Sequence, residues 1–169
     1  MWNNLYEQID FDILKKSLDL IISQNDNFHT NFIIKDGDVF QYFKDEIEYK
    51  IDIIDITNEE ELHELEKNTM SHIFDILNSD LFNIKIFRYP DLTGGVIFNI
   101  HHIISDSWTL GLIAKEIVSN YYLLSNNTKI EPKNYSYIDY IDSEKKYINS
   151  QKYIKDKEFW SNYLENRPE

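Results

Sequence analysis

The chain has 169 residues, 42% hydrophobic and 15% aromatic, enough to bury one core, so a single domain is expected. A formal net charge of -13 argues against duplex nucleic acid, whose phosphates bind chiefly to cations, and the lack of cysteine excludes a disulfide framework, a thiol nucleophile and a cysteine metal site. No apolar run approaches the ~20 residues of a membrane span, and Met1 to Asp10 is polar and acidic without an apolar centre, so no membrane contact and a cytoplasmic location are expected.

The first ten residues place no firm element; Trp2, Leu5 and Tyr6 fit a strand or a lead-in. Ile13, Leu14, Leu18, Ile21 and Ile22 recur at helical spacing behind Asp10 and Asp12, acids suited to a helix start, and the helix fades at Gln24 to Asn27. His29 to Lys35 and Val39 to Lys44 flank Asp36-Gly37-Asp38, which predicts a hairpin, because an Asp-Gly step supplies the positive φ of a tight turn. Tyr49 to Ile56 reads as another strand. Asn58 to Asn78 reads as a second helix, capped by Thr57 or Asn58, opened by Glu59, Glu60 and Glu61, with an inward stripe through Leu62, Leu65, Thr69, His72, Ile73, Ile76 and Leu77. His63 and His72 then sit two and a half turns apart, on opposite sides, and no metal site is expected.

Leu81 to Tyr89 and Val96 to His102 form a hairpin that leads into the densest chemistry of the chain, Gly95 to Leu110. Val96, Phe98, Ile100 and His102 alternate with Ile97, Asn99 and His101, so a strand carried to its end turns the two imidazoles to opposite faces and gives them different jobs. From Asp106 the period becomes helical through Trp108, Leu110, Ile113, Ile117, Tyr121 and Leu124, with Asp106 or Ser107 as cap. A histidine at a strand end, facing a carboxylate at a helix start, is an oriented base. After a polar linker from Ser125 to Asn134, Tyr135 to Glu165 reads as one or two helices. Lysines interleave with aromatics there, but Asp139, Asp142, Glu144, Asp156 and Glu158 cancel their charge, which favours amphipathic packing over nucleic acid.

The run His101-His102-Ile103-Ile104-Ser105-Asp106-Ser107-Trp108-Thr109 resembles the HHxxxDGxS motif of the condensation domains of non-ribosomal peptide synthetases, within the chloramphenicol-acetyltransferase-like superfamily, with Ser107 in place of glycine. Thr30 and Phe32 match the family's RHExLRTxF segment, whose Arg, His, Glu and second Arg positions are here Gln24, Asn25, Asp26 and His29, so His29 is expected to be a surface or strand-start residue. Lys157 to Pro168 resembles the family's YWxxxLxxxP segment. Epimerization domains share the HHxxxD core but place serine before tryptophan; the order Trp108-Thr109 favours condensation.

The resemblance implies an α/β (α+β sandwich) fold, a chloramphenicol-acetyltransferase-like lobe in which helices pack on a mixed or antiparallel sheet. It implies that residues 1–169 form the N-terminal lobe of a two-lobed domain whose opening strand region and C-terminal lobe fall outside the sequence. It further implies amide formation between carrier-bound thioesters, with donor and acceptor carrier proteins as partners. The 4'-phosphopantetheine is carried by those partners, and no cofactor is bound by the chain itself. His102 matches the second family histidine and would accept a proton from the attacking amine or hold that amine by a hydrogen bond. Asp106 would hold the loop by an ion pair or by capping its helix, and Arg88 and Arg167 are the two arginines available to it. His101 would be structural with its ring turned into the fold, Ser107 would enter the helix, and Trp108 would anchor packing. The isolated chain is expected to be inactive. The alternatives are a non-catalytic carrier-binding module and an acyltransferase that uses an acyl-CoA donor.

Overall fold

Asp10 starts the fold: its Oδ1 accepts the backbone N–H groups of Asp12 and Ile13, each at 3.1 Å, and caps α1 (Phe11–Gln24). The structure, a computed structural model, describes residues 8–132 and 136–165. The chain divides into two compact units, Met1–Asn134 and Tyr135–Glu169. Trp2, Leu5, Tyr6, Arg167 and Pro168 lie outside the described residues.

In the first unit α1 buries Phe11, Leu14, Leu18, Ile21 and Ile22, with Ile13 at the margin of the expected stripe. A 3-10 turn, Asp26–His29, leads into the hairpin β1 (Thr30–Lys35) and β2 (Asp38–Phe43). Asp36 and Gly37 have φ of 56° and 88°, the pair of positive values that a two-residue turn of right-twisted strands requires. His29, expected at the surface or at the strand start, ends the 3-10 turn one residue before β1 and is half-buried, its ring nitrogens 3.0 and 3.2 Å from the carbonyl oxygens of Lys44 and Ile22.

A mixed three-stranded sheet orders β3 (Asp52–Asp55), β4 (Phe82–Arg88) and β5 (Gly94–Ile100) with β4 central, parallel to β3 and antiparallel to β5. The parallel pair needs a crossover, and α2 (Glu59–Met70) supplies it. Phe82, Ile84 and Ile86 alternate along β4 into the core shared with α1, and Ile86 is completely buried. On the β3 side, cross-strand ion pairs join Lys85 to Asp52 at 2.8 Å and Arg88 to Asp55 at 2.6 Å. Gly94 has no room for a side chain, because a Cβ there would collide with the Phe87 carbonyl and crowd the Phe11 ring.

The second helix is shorter than expected. It stops at Met70, not Asn78, because Thr69, Ser71 and Asp75 bond to nearby backbone and compete with the helix ladder: Thr69 Oγ1 donates to the Leu65 carbonyl at 2.8 Å, and Asp75 Oδ1 accepts the Leu77 N–H at 3.1 Å. His72 is therefore off the helix, and Ile73, assigned to the inward stripe, is 90% exposed. Beyond β5, α3 (Ser107–Ser125) packs Ile113, Ile117 and Tyr121 against the core, and the Tyr121 hydroxyl accepts the Asp10 N–H at 2.9 Å.

The second unit is a pair of helices, α4 (Tyr137–Ile148) and α5 (Gln151–Glu165), clasped by the Tyr147 hydroxyl, which donates to Asp156 at 2.8 Å. None of its described residues is buried.

Candidate active site

The two histidines lie in a turn between β5 and α3. The strand expected to reach His102 ends at Ile100, and one more ladder bond, from the His101 N–H to the Leu81 carbonyl at 2.9 Å, closes it. Alternation of faces therefore does not separate the two rings. A hydrogen-bonded turn does. The His101 carbonyl accepts the Ile104 N–H at 3.1 Å and the Ser105 hydroxyl at 3.2 Å, and the His102 carbonyl accepts the Ser105 N–H at 3.4 Å. Ile104 is buried and pins the turn to the fold while its neighbour Ile103 is exposed. Each ring then meets a different backbone group. Nδ1 of His101 accepts the Ile103 N–H at 3.0 Å, and Nδ1 of His102 lies 3.2 Å from the Ser105 carbonyl oxygen.

The structure gives each sequence-predicted residue a place. His102 is exposed; His101 is half-buried, its ring edge-on to Phe74 at 6.0 Å between centroids. Of the two roles expected for Asp106, the geometry is that of the cap. Its Oδ1 accepts both the backbone N–H and the hydroxyl of Thr109 at 2.7 Å, and the Asp106 N–H donates back to the Thr109 hydroxyl at 3.3 Å. These bonds, the Thr109 N–H foremost, hold the Asp106 carboxyl below the usual carboxylate range. Arg88 is engaged elsewhere, with Asp55 and over the Phe11 ring at 5.5 Å. Ser107 opens α3 without a positive φ, so its backbone needs no glycine. Trp108 corrects the expectation of a packing anchor. It is 77% exposed, because α3 turns Ile113, Ile117 and Tyr121 to the core and the indole falls on the far side of the helix.

Four residues not assigned a part in the site from sequence support it. Thr109 completes the capping box, and the Asp-x-x-Thr spacing ahead of an apolar run was the available signal. Asn99 ties β5 to the end of α2 by donating to the Thr69 carbonyl at 2.8 Å. Asn27, in the segment that departs from the family pattern, donates to the Ile104 carbonyl at 3.4 Å and so braces the turn. Ser105 closes the turn; a lone serine carries no sequence signal for that. A groove of about 570 Å³, lined by Asp10, Asp12, Lys16, Leu124, Asn127 and Lys129, lies at the other end of α3, about 28 Å along the helix from the turn at 1.5 Å per residue. Among the described residues no group of three His, Cys, Asp or Glu side chains is placed to hold a metal ion, and no helix is long and apolar enough to cross a membrane.

Comparison with known proteins gives this geometry its context. The chain is 27% identical over 154 residues to bacitracin synthase 3 of Bacillus licheniformis, covering 90% of this chain and 2% of the synthase. It is 28% identical over 160 residues to surfactin synthase subunit 1 of Bacillus subtilis (strain 168), covering 94% and 4%. Among solved structures it resembles VibH, an NRPS condensation enzyme, with a TM-score of 0.80 at 22% identity, over 96% of this chain and 38% of VibH. The chain thus spans a small part of the synthases and less than half of VibH. The family model described as "Condensation domain" matches residues 3–169, and the chain belongs to that family.

Proposed function

We propose that this chain is the N-terminal lobe of a condensation domain that forms an amide between two carrier-bound thioesters of a non-ribosomal peptide synthetase. The observation that carries the reading is the exposed His102, set by a backbone-bonded turn between β5 and α3 in a chain of this family. The amine nitrogen of the acceptor attacks the donor's thioester carbonyl carbon; the C–N bond forms, the C–S bond breaks, and the proton shed by nitrogen ends on the departing sulfur as a thiol. His102 receives the amine by a hydrogen bond and takes up that proton on its way, a role suited to an imidazole. Orientation of two tethered reactants supplies much of the remaining rate. Asp106 holds the junction of turn and helix, and His101 is structural. The 4'-phosphopantetheine arms belong to the donor and acceptor carriers and enter as substrate, the C-terminal lobe supplies the facing wall, and the reaction takes place in the cytoplasm.

The test uses a protein with a complete condensation domain containing this chain, mixed with an acyl-loaded donor carrier and an aminoacyl-loaded acceptor carrier. The expected result by intact mass is transfer of the acyl group to the acceptor and a free thiol on the donor. Carrier binding without transfer would overturn the reading in favour of a non-catalytic module. Transfer from acyl-CoA to a free amine alone would overturn it in favour of an acyl-CoA-dependent acyltransferase.

A further inference from the structure

We infer that the turn His101–Ser105 fixes two adjacent histidines in opposite tautomers, and that Ser105 is the positioning residue that leaves Nε2 of His102 as its unprotonated nitrogen. The functional meaning of this assignment rests on the proposed role of His102; the tautomers themselves do not.

The argument is one of donors and acceptors. A carbonyl oxygen can only accept, so the contact between Nδ1 of His102 and the Ser105 carbonyl at 3.2 Å is a hydrogen bond only with the proton on Nδ1. A neutral imidazole carries one N–H, which leaves the lone pair on Nε2. At His101 the polarity is reversed. A backbone N–H can only donate, so the Ile103 N–H at 3.0 Å requires the lone pair on Nδ1 and, in the neutral ring, the proton on Nε2. One ring thus presents a proton acceptor at Nε2 and the next a proton donor, and the second histidine is selected as the base by its backbone partner.

Ser105 holds the arrangement because it is tied at three points. Its hydroxyl donates to the His101 carbonyl at 3.2 Å, its N–H donates to the His102 carbonyl at 3.4 Å, and its own carbonyl receives the His102 ring. On one side the buried Ile104 anchors the turn, and its carbonyl accepts the Asn27 amide at 3.4 Å. On the other the Asp106 N–H, which shares a peptide plane with the Ser105 carbonyl, donates to the Thr109 hydroxyl at 3.3 Å, so that carbonyl cannot swing freely. An untethered imidazole favours the proton on Nε2, the state that removes the acceptor. Holding the other tautomer is the same service that a second partner renders to a functional histidine in other sites.

The experiment is a long-range proton–nitrogen correlation spectrum of the nitrogen-15-labelled chain at about pH 8.5, two units above the ordinary imidazole pKa of ~6.5. His101→Gln and His102→Gln identify the two rings among the five histidines. The expected spectrum has the proton on Nδ1 of His102 and on Nε2 of His101. In Ser105→Ala, which loses the hydroxyl tie, the His102 pattern is expected to move toward a mixture while His101 keeps its own. Both rings protonated on Nε2 would overturn the tautomer assignment, and an unchanged His102 pattern in Ser105→Ala would overturn the positioning role. The spectrum reads proton position without turnover, so the two failures separate. Nε2–H on a His102 that amide formation requires would overturn this inference alone; Nδ1–H on a dispensable His102 would overturn the functional reading alone.

Discussion

Strand β4 and the turn His101–Ser105 adjoin through a hydrogen bond from the His101 N–H to the carbonyl of Leu81, the residue before β4, yet they are built by different forces. β4 is held by burial. Phe82, Ile84 and Ile86 point into the core with α1, where the apolar area removed from water stabilises the fold. The turn is held by directed bonds among its own backbone, hydroxyl and ring atoms, with His102 exposed and Ile104 as its buried pin. The contrast teaches that the residues that stabilise the fold and the residue that presents an exposed imidazole are held by separate means. A turn fixed by hydrogen bonds can aim an imidazole outward without drawing it into the core.

Four substitutions break or sharpen that contrast. Ile86→Ala removes the most buried side chain of β4 and is expected to lower unfolding stability by about 2–5 kcal/mol in urea titration. A loss below about 1 kcal/mol would show that β4 is not the centre of the core. Gly94→Ala, which forces a methyl against the Phe87 carbonyl and the Phe11 ring, should cost about 1–3 kcal/mol by the same measurement. Asp106→Asn keeps a capping oxygen but removes the charge. Because Thr109 holds the folded carboxyl below its unfolded value of ~3.9, Asp106 stabilises the fold above that value, and this contribution fades as pH falls from there toward the lower folded pKa. The variant should therefore lose less stability than the parent between about pH 5 and pH 3, and equal acid sensitivity would contradict the cap. Trp108→Ala, at an exposed indole, should change stability by no more than about 0.5 kcal/mol, whereas a core anchor would cost several times that.

The same contrast explains what the sequence disclosed. The strand from Leu81 to Tyr89, the Asp36-Gly37 turn and the apolar face of α1 are periodic or local signals, and the fold that the family resemblance implies matches the mixed sheet with packed helices. The end of α2 was hidden, because Thr69, Ser71 and Asp75 end the helix through their own bonds to the backbone and leave the apolar spacing beyond Met70 intact. Trp108 misled for a related reason. α3 carries apolar residues on both faces, such as Ile113 inward and Leu112, Val118 and Tyr122 outward, so periodicity could not choose the buried side. In the turn, the residue types of the HHxxxD run were legible but the bonds of Ser105, Ile103 and Asn27 were not, since backbone partners have no spacing to read.

The most direct test of the central claim is the rate of amide formation by His102→Ala in a protein with a complete condensation domain, measured beside its unfolding curve. The account expects a loss of at least ~100-fold in turnover with an unchanged unfolding midpoint. Turnover within about twofold of the parent would contradict it, because general acid–base roles contribute far more than that.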